Sequence, residues 1–251
     1  MIPVLDLKAG RAVLASRGMR EAYGPVRSVL VPQDPPGDPL ALARAYRDRL
    51  GCDEWYVADL DAIIGGAPQR AALRGLAGLG GRLLVDAGVS TAVRARETLA
   101  DAGRTARVVA GLETLPSFAA LADVAHAVGG ERLVFSLDLR EGRPVAPAGA
   151  AHHGALPPLE LVGSAVEAGA AAILVLDLAR IGSGRGVDLD LVAAIRRAHS
   201  RIELLAGGGI ASRGDVERLA DAGCDAVLVA TALHDGRLGR EDIEAVRGGR
   251  C

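Results

Sequence analysis

Asp6, Asp59, Asp86, Asp138 and Asp177 each close a short aliphatic run, Asp61 stands two residues past Asp59, and Glu113 two residues past another run that ends in Gly111. Carboxylates recurring at the ends of apolar runs point to proton transfer. Two of them facing one substrate can serve as general acid and general base if crowding holds a proton on one while the other stays ionised. Asp6 and Asp138 are read as that catalytic pair, because their runs match: Ile2-Pro3-Val4-Leu5-Asp6-Leu7 and Val134-Phe135-Ser136-Leu137-Asp138-Leu139. Asp59, Asp86, Glu113 and Asp177, with the cations Arg140 and Arg180 nearby, are read as substrate contacts. Capping a strand end or a helix start is the alternative use of an aspartate in such a place.

Lys8 is the only lysine among the 29 Lys+Arg residues and lies two residues past Asp6, on the same side of an extended strand. It is the third catalytic candidate. A Schiff-base role would require burial or neighbouring cations to depress its pKa. The carboxylates around it favour a lysine that pairs with or orients a charged group.

Anion binding is the second chemistry in the sequence. Ala206-Gly207-Gly208-Gly209-Ile210-Ala211-Ser212 follows one aliphatic run and opens a helix, and Val229-Ala230-Thr231-Ala232-Leu233 follows the next. Gly207, Gly208, Gly209, Ala230 and Thr231 are the candidate phosphate contacts, since glycine lets backbone amides approach the oxygens of an anion. The corresponding earlier segment, Asp86-Ala87-Gly88 beside Gly111-Leu112-Glu113, would repel a phosphate. It either caps itself or receives a cationic or hydroxylated group, and no histidine stands at a spacing that would support a metal there.

The elements that must position these residues alternate. Strands are expected at 2–7, 55–59, 83–86, 108–110, 133–139, 172–178, 203–206 and 226–229. Helices are expected at 39–50, 67–79, 91–102, 117–128, 158–169, 188–199, 213–222 and 240–247. Asp38-Pro39 is a helix-start signal. The ends of the first four strands echo those of the last four, in order. The offsets are 132 from Asp6 to Asp138, 118 from Asp59 to Asp177, 121 from Gly88 to Gly209 and 119 from Gly111 to Ala230. Two fused four-strand halves, about 1–130 and 131–251, close as one eight-stranded α/β barrel, a (βα)8 TIM barrel spanning 1–251, because either half alone would expose a parallel edge. No Gly-rich turn follows the first strand, as an open doubly wound sheet would need. In such a barrel the C-terminal strand ends form the site.

The 251 residues are 50% hydrophobic with a net charge of −2, which excludes a disordered chain and a basic nucleic-acid surface. Aromatics are only 2%, so the core must be aliphatic and little is left at the mouth to stack on a ring. Cys52, Cys224 and Cys251 are too few for a disulfide framework or zinc site, and no segment reaches membrane-span length, so a cytoplasmic location is expected. The segment 17–28 is read as a long first loop acting as a lid. His152-His153 is read as a surface pair in a Gly/Ala/Pro-rich loop.

Ile2-Pro3-Val4-Leu5-Asp6-Leu7-Lys8-Ala9-Gly10-Arg11-Ala12-Val13, Asp138, Asp177, Gly207-Gly208-Gly209-Ile210 and Thr231-Ala232-Leu233 together resemble the HisA/HisF family of histidine biosynthesis, over essentially the whole chain. The resemblance implies a barrel binding a phosphorylated ligand. It also implies, for the aspartates matching Asp6 and Asp138, an Amadori rearrangement in which an acid opens an aminoaldose ring and a base shifts a proton to give the aminoketose. The chain departs from the family at Asp86-Ala87-Gly88, where a Gly-rich loop is usual, at Leu14, at Ile181-Gly182-Ser183, and at Ala151-His152-His153-Gly154. Gly18-x-Arg20-x-x-Tyr23-x-Pro25-x-x-Ser28 resembles instead a HisA-like branch of methanogens and methylotrophs.

The expectation is therefore a HisA-like enzyme that acts on a monophosphorylated small molecule by aspartate acid–base chemistry and needs no cofactor or metal. A role in the synthesis of one-carbon cofactors of the methanopterin or methanofuran type is preferred. The alternatives are the histidine-pathway phosphoribosylformimino-AICAR ribotide isomerase, a Schiff-base lyase using Lys8, and a non-catalytic ligand-binding or partner protein. No nucleic-acid or membrane partner is expected, and composition does not determine the oligomeric state.

Overall fold

The computed structural model describes residues 1–16, 19–180 and 186–248, apart from the side chains of residues 15, 16, 19–22, 151 and 152. The chain runs β1 (Ile2–Lys8), β2 (Arg11–Ser16), β3 (Met19–Pro25), α1 (Pro39–Asp48), β4 (Glu54–Asp59), α2 (Leu60–Ile63), α3 (Arg70–Ala77), β5 (Arg82–Asp86), α4 (Ala92–Ala102), β6 (Arg107–Gly111) and α5 (Phe118–Val128). It continues through β7 (Leu133–Arg140), β8 (Arg143–Pro144), α6 (Ala151–Gly154), α7 (Pro158–Glu167), β9 (Ala172–Asp177), α8 (Leu189–Ala198), β10 (Glu203–Gly207), α9 (Arg213–Asp221), β11 (Ala226–Val229), α10 (Thr231–His234) and α11 (Arg240–Gly248).

Eight of these strands, β1, β4, β5, β6, β7, β9, β10 and β11, pair in parallel in that order. β11 then returns to β1, with Leu228 opposite Ile2 and Val229 opposite Pro3. Closure leaves no barrel edge unpaired, the arrangement of a (βα)8 TIM barrel. The alternation of each strand divides the apolar residues into two clusters. Ile2, Tyr56, Leu84, Val109, Val134, Leu174, Leu205 and Leu228 fill the barrel. Their neighbours, among them Leu5, Val57, Val85, Val108, Phe135, Val175 and Leu204, meet the surrounding helices. Most long helices begin on a side-chain cap: Asp38 accepts from Leu40 N and Ala41 N, Thr91 from Arg94 N, Ser117 from Ala120 N and Asp188 from Leu191 N.

One expectation changes. Residues 19–25 of the presumed first loop are not a loop: they form β3, which pairs antiparallel with β2, as β2 does with β1, giving a ribbon that continues past the barrel mouth. The turn between β1 and β2 is Ala9-Gly10, with φ of +48° and +78°, the two left-handed residues of a twist-matched hairpin. Asp61 Oδ2 accepts from Ala9 N at 2.8 Å and Gln69 Oε1 from Gly10 N at 2.7 Å, which holds the strained Ala9 in place. A second hairpin, β7 to β8, turns through Glu141 and Gly142 at φ of +54° and +77°. The offset of 132 that relates Asp6 to Asp138 also relates these two turns. Residues 17 and 18 lie outside the described residues.

Candidate active site

Which strand-end carboxylates reach the mouth is decided by strand parity. Asp6, Asp86 and Asp138 stand on the inward-facing positions of β1, β5 and β7, two residues past Val4, Leu84 and Ser136. All three line one cavity of about 230 Å³ at the C-terminal mouth, together with Glu113, Arg140, Gly208, Gly209, Ala230 and Thr231. The Gly208 and Thr231 loops follow β10 and β11, four strands around the barrel from β5 and β6, so the glycine loops and the acidic loops face each other.

Asp138 is strongly perturbed. It is 3% exposed. Ser136 Oγ donates to its Oδ1 at 2.6 Å, and Glu113 N donates to its Oδ2 at 3.1 Å. Burial, reinforced by the negative charges of Glu113 and Asp86, outweighs those two bonds and pushes its pKa up to about 8. Gly111 makes this packing possible, because a Cβ there would stand 2.8 Å from Asp138 Oδ2 and 3.9 Å from Asp86 Oδ2. Asp86 accepts from Gly88 N through Oδ1 at 3.2 Å and from the Tyr56 hydroxyl through Oδ2 at 3.3 Å. Burial and the neighbouring aspartates hold the Tyr56 phenol well above its ordinary pKa, so it remains a hydrogen-bond donor.

Other candidates are placed away from the cavity. Asp59 is fully buried on the outward side of β4, accepting from Ala62 N, Gln69 N and Gln69 Nε2 at 3.1, 2.7 and 3.1 Å. Asp177 likewise faces out of the barrel, accepting from Ala179 N and Glu141 N and pairing with Arg180 Nε at 3.0 Å. Arg180 also donates to Gly186 O. Asp59 and Asp177 point outward because each follows an inward position on its strand, and with Arg180 they brace loops. Lys8 follows the parity of Asp6 but is exposed beside the hairpin turn and does not line the cavity. Gly207 lies beneath the cavity floor, where a Cβ would press on Leu176 and Leu228 at 3.1 and 3.2 Å. Gly208, at φ +109°, must be glycine because a Cβ would sit 2.8 Å from Asp177 O.

The cavity also takes residues the sequence did not announce. Tyr23 and Tyr56 line it, so two of the three tyrosines stand at a mouth that composition alone suggests is free of rings. Tyr56 carried a signal, as the inward-facing one of two aromatic residues on a strand whose inward alternation ends beside Asp59. Arg237 carried none in so arginine-rich a chain; it lines the cavity and pairs with Asp235 at 2.7 Å. His153 is buried, its ring 5.0 Å from that of Phe118, which corrects the expectation of a surface pair. Ile181-Gly182-Ser183 and the side chain of His152 lie outside the described residues. Among the described residues, no group of three or more His, Cys, Asp or Glu is arranged to hold a metal ion.

A family profile described as "Histidine biosynthesis protein" matches residues 1–239. The chain belongs to the histidine-biosynthesis protein family. Within that family it is similar to a protein of Thermus thermophilus named 1-(5-phosphoribosyl)-5-((5-phosphoribosylamino)methylideneamino)imidazole-4-carboxamide isomerase, 32% identical over 240 residues and covering 95% of each chain. A protein of the same name from Deinococcus radiodurans is 33% identical over 239 residues, 95% of this chain and 94% of that one. An uncharacterised protein of the methanogen Methanocaldococcus jannaschii is 28% identical over 243 residues, 97% and 96% of the two chains, in agreement with a resemblance to a methanogen branch of the histidine-biosynthesis family. No helix among the described residues is long and apolar enough to cross a membrane.

Proposed function

We propose that the protein is an aldose–ketose isomerase that converts a phosphorylated aminoaldose to its aminoketose through acid–base catalysis by Asp138 and Asp6. The observation that carries this reading is the buried Asp138 carboxyl, whose pKa of about 8 leaves it protonated at neutral pH, opening onto the same cavity as Asp6. Asp138 gives its proton to the ring oxygen, the C1–O bond opens, and the nitrogen lone pair forms the C1=N bond. The Asp6 carboxylate then takes the proton from C2. The C2–H electrons become the C1=C2 bond and restore the nitrogen lone pair; in the ketonisation C1 gains a proton while the C2 hydroxyl becomes the carbonyl and gives its proton back to Asp138. Atoms balance without a redox partner.

The glycine backbone at 208 and 209, with Ala230 and Thr231, supports a phosphate seat on the wall facing the acidic loops. The names of the relatives carry an isomerisation of a phosphoribosylated aminosugar. They favour an isomerisation of the histidine-pathway type, with the substrate itself left open, over a role in one-carbon cofactor synthesis, to which none of the relatives' names refers. Lys8, exposed and outside the cavity, weighs against a Schiff-base lyase. A carboxyl kept buried against two like charges costs stability that a silent binding protein has no reason to retain, which weighs against a non-catalytic role.

The test is to incubate the purified protein in deuterium oxide with the relatives' named substrate and with singly phosphorylated aminoaldoses, following products by NMR. The expected result is an aminoketose carrying solvent deuterium at C1. Loss of this turnover in Asp138→Asn and in Asp6→Asn supports the assignment; full activity in either variant overturns it.

A further inference from the structure

The two ends of the cavity are built from loops that the internal repeat pairs residue by residue, and they differ where an anion would sit. At the offset of 121, Asp86 corresponds to Gly207 and Gly88 to Gly209. On the second-half side the turn holds glycine at 207, 208 and 209, so it carries no side chain of its own there, and the backbone of Gly208 and Gly209 faces the cavity at φ +109° and +71°. On the first-half side the side chain of Asp86 folds down onto its own turn, Oδ1 accepting from Gly88 N at 3.2 Å. The adjacent loop does the same: Glu113 N donates to Asp138 Oδ2 at 3.1 Å. Both amides that would receive a phosphate on this side therefore already hold carboxylate oxygens of the chain itself.

The turn cannot withdraw to make room. A Cβ on Gly88 would lie 3.1 Å from Ala62 O and from Ile63 Cα, so α2 is packed directly behind it. Gly111 is filled from the front, with Asp138 Oδ2 2.8 Å and Asp86 Oδ2 3.9 Å from where its Cβ would stand. A phosphate brought to this end would have to displace a bonded carboxylate and then remain beside it, in a site where water is largely excluded and like charges repel strongly.

We propose that Asp86 is a specificity-determining residue that limits the substrate to one phosphate, held at the glycine wall, and that the substrate's other end is uncharged or cationic. The names of the relatives contain two phosphoribosyl groups, so the substrate of this chain differs from the one those names describe. The inference rests on the isomerase reading only for the statement that the ligand is a phosphorylated sugar derivative.

The test is a binding measurement on the full chain with ribose 5-phosphate and ribulose 1,5-bisphosphate as probes, by calorimetry. The unaltered protein is expected to bind the monophosphate at least as tightly as the bisphosphate. Asp86→Gly, which restores the residue found at 207, is expected to bind the bisphosphate at least about tenfold more tightly than the unaltered protein does. Asp86→Asn keeps an acceptor for Gly88 N without the charge and is expected to give a smaller gain, which covers the case in which the glycine variant fails to fold. A preference of the unaltered protein for the bisphosphate, or no gain in either variant, overturns the proposal. Crystals of the unaltered protein soaked in sulfate supply an arm free of variants: density at the Gly208 and Thr231 loops alone supports it, and density at both ends or at neither overturns it. Because these are binding readouts, absence of turnover with every substrate would sink the isomerase reading while leaving this result standing.

Discussion

Ser136 Oγ donates to Asp138 Oδ1 at 2.6 Å, from the inward position two residues earlier on the same strand. The bond favours the ionised carboxylate, so it sets a ceiling on how far burial can raise the acid's pKa.

Removing that hydroxyl moves the pKa upward. If protonated Asp138 is the acid, kcat falls as pH rises through about 8, and in Ser136→Ala this alkaline limb moves to higher pH, by up to about one unit. A pH–rate profile of the two proteins checks this. An unmoved limb would mean that another group titrates there.

Asp138→Asn trades activity for stability. Its kcat is expected to fall by about 10²- to 10⁴-fold. The native pKa is raised from 3.8 to about 8, so the folded protein holds a proton that the unfolded chain releases, and this contribution is full below 3.8 and lost as pH rises through about 8. The melting temperature of the unaltered protein relative to Asp138→Asn should therefore decline across that window, with the variant the more stable at about pH 9. Thermal melts of both proteins over this range read the difference directly.

Gly111→Ala introduces a Cβ 2.8 Å from Asp138 Oδ2. The carboxylate must turn away from Glu113 N, at a cost of about 1–3 kcal/mol in stability and a loss of kcat larger than the change in KM. Steady-state kinetics with a denaturation curve separates this from simple misfolding. Unchanged kcat would place Asp138 outside the reaction.

His234 predicts the acid side. It is buried, with Nε2 3.2 Å from the Tyr46 hydroxyl, which itself donates to Val4 O at 3.0 Å. Burial lowers its pKa from 6.5 to about 4, so the stability it confers is present above 6.5 and lost as pH falls through about 4. His234→Gln keeps a donor for Tyr46 and removes this dependence. Its melting temperature should therefore fall less than that of the unaltered protein between about pH 6.5 and pH 4, and identical slopes would show that His234 does not titrate in this window.

The sequence by itself determined the alternation of eight aliphatic runs with amphipathic helices, and with it the closed barrel, because periodicity and capping are local properties that each segment carries. The echo of strand ends between the two halves, and the placing of acids and glycines at the C-terminal ends, were legible for the same reason. The hairpins were not: Ala9-Gly10 and Glu141-Gly142 lack the usual Asn-Gly or Asp-Gly signal, and Ala9 adopts its left-handed turn with the help of Asp61, 52 residues away.

Only the tertiary structure decided which carboxylates face the cavity. Asp59 and Asp177 look like Asp6 and Asp138 in sequence, yet a single step along a strand turns a side chain from the inside of the barrel to the outside, and that step cannot be read from strand ends uncertain by a residue or two. The proton on Asp138 is likewise a property of the assembled barrel. It depends on burial and on the charges of Glu113 and Asp86, which β6 and β5 bring beside it. Residue types supplied the acids, and three-dimensional neighbours determined that Asp138 holds its proton at neutral pH.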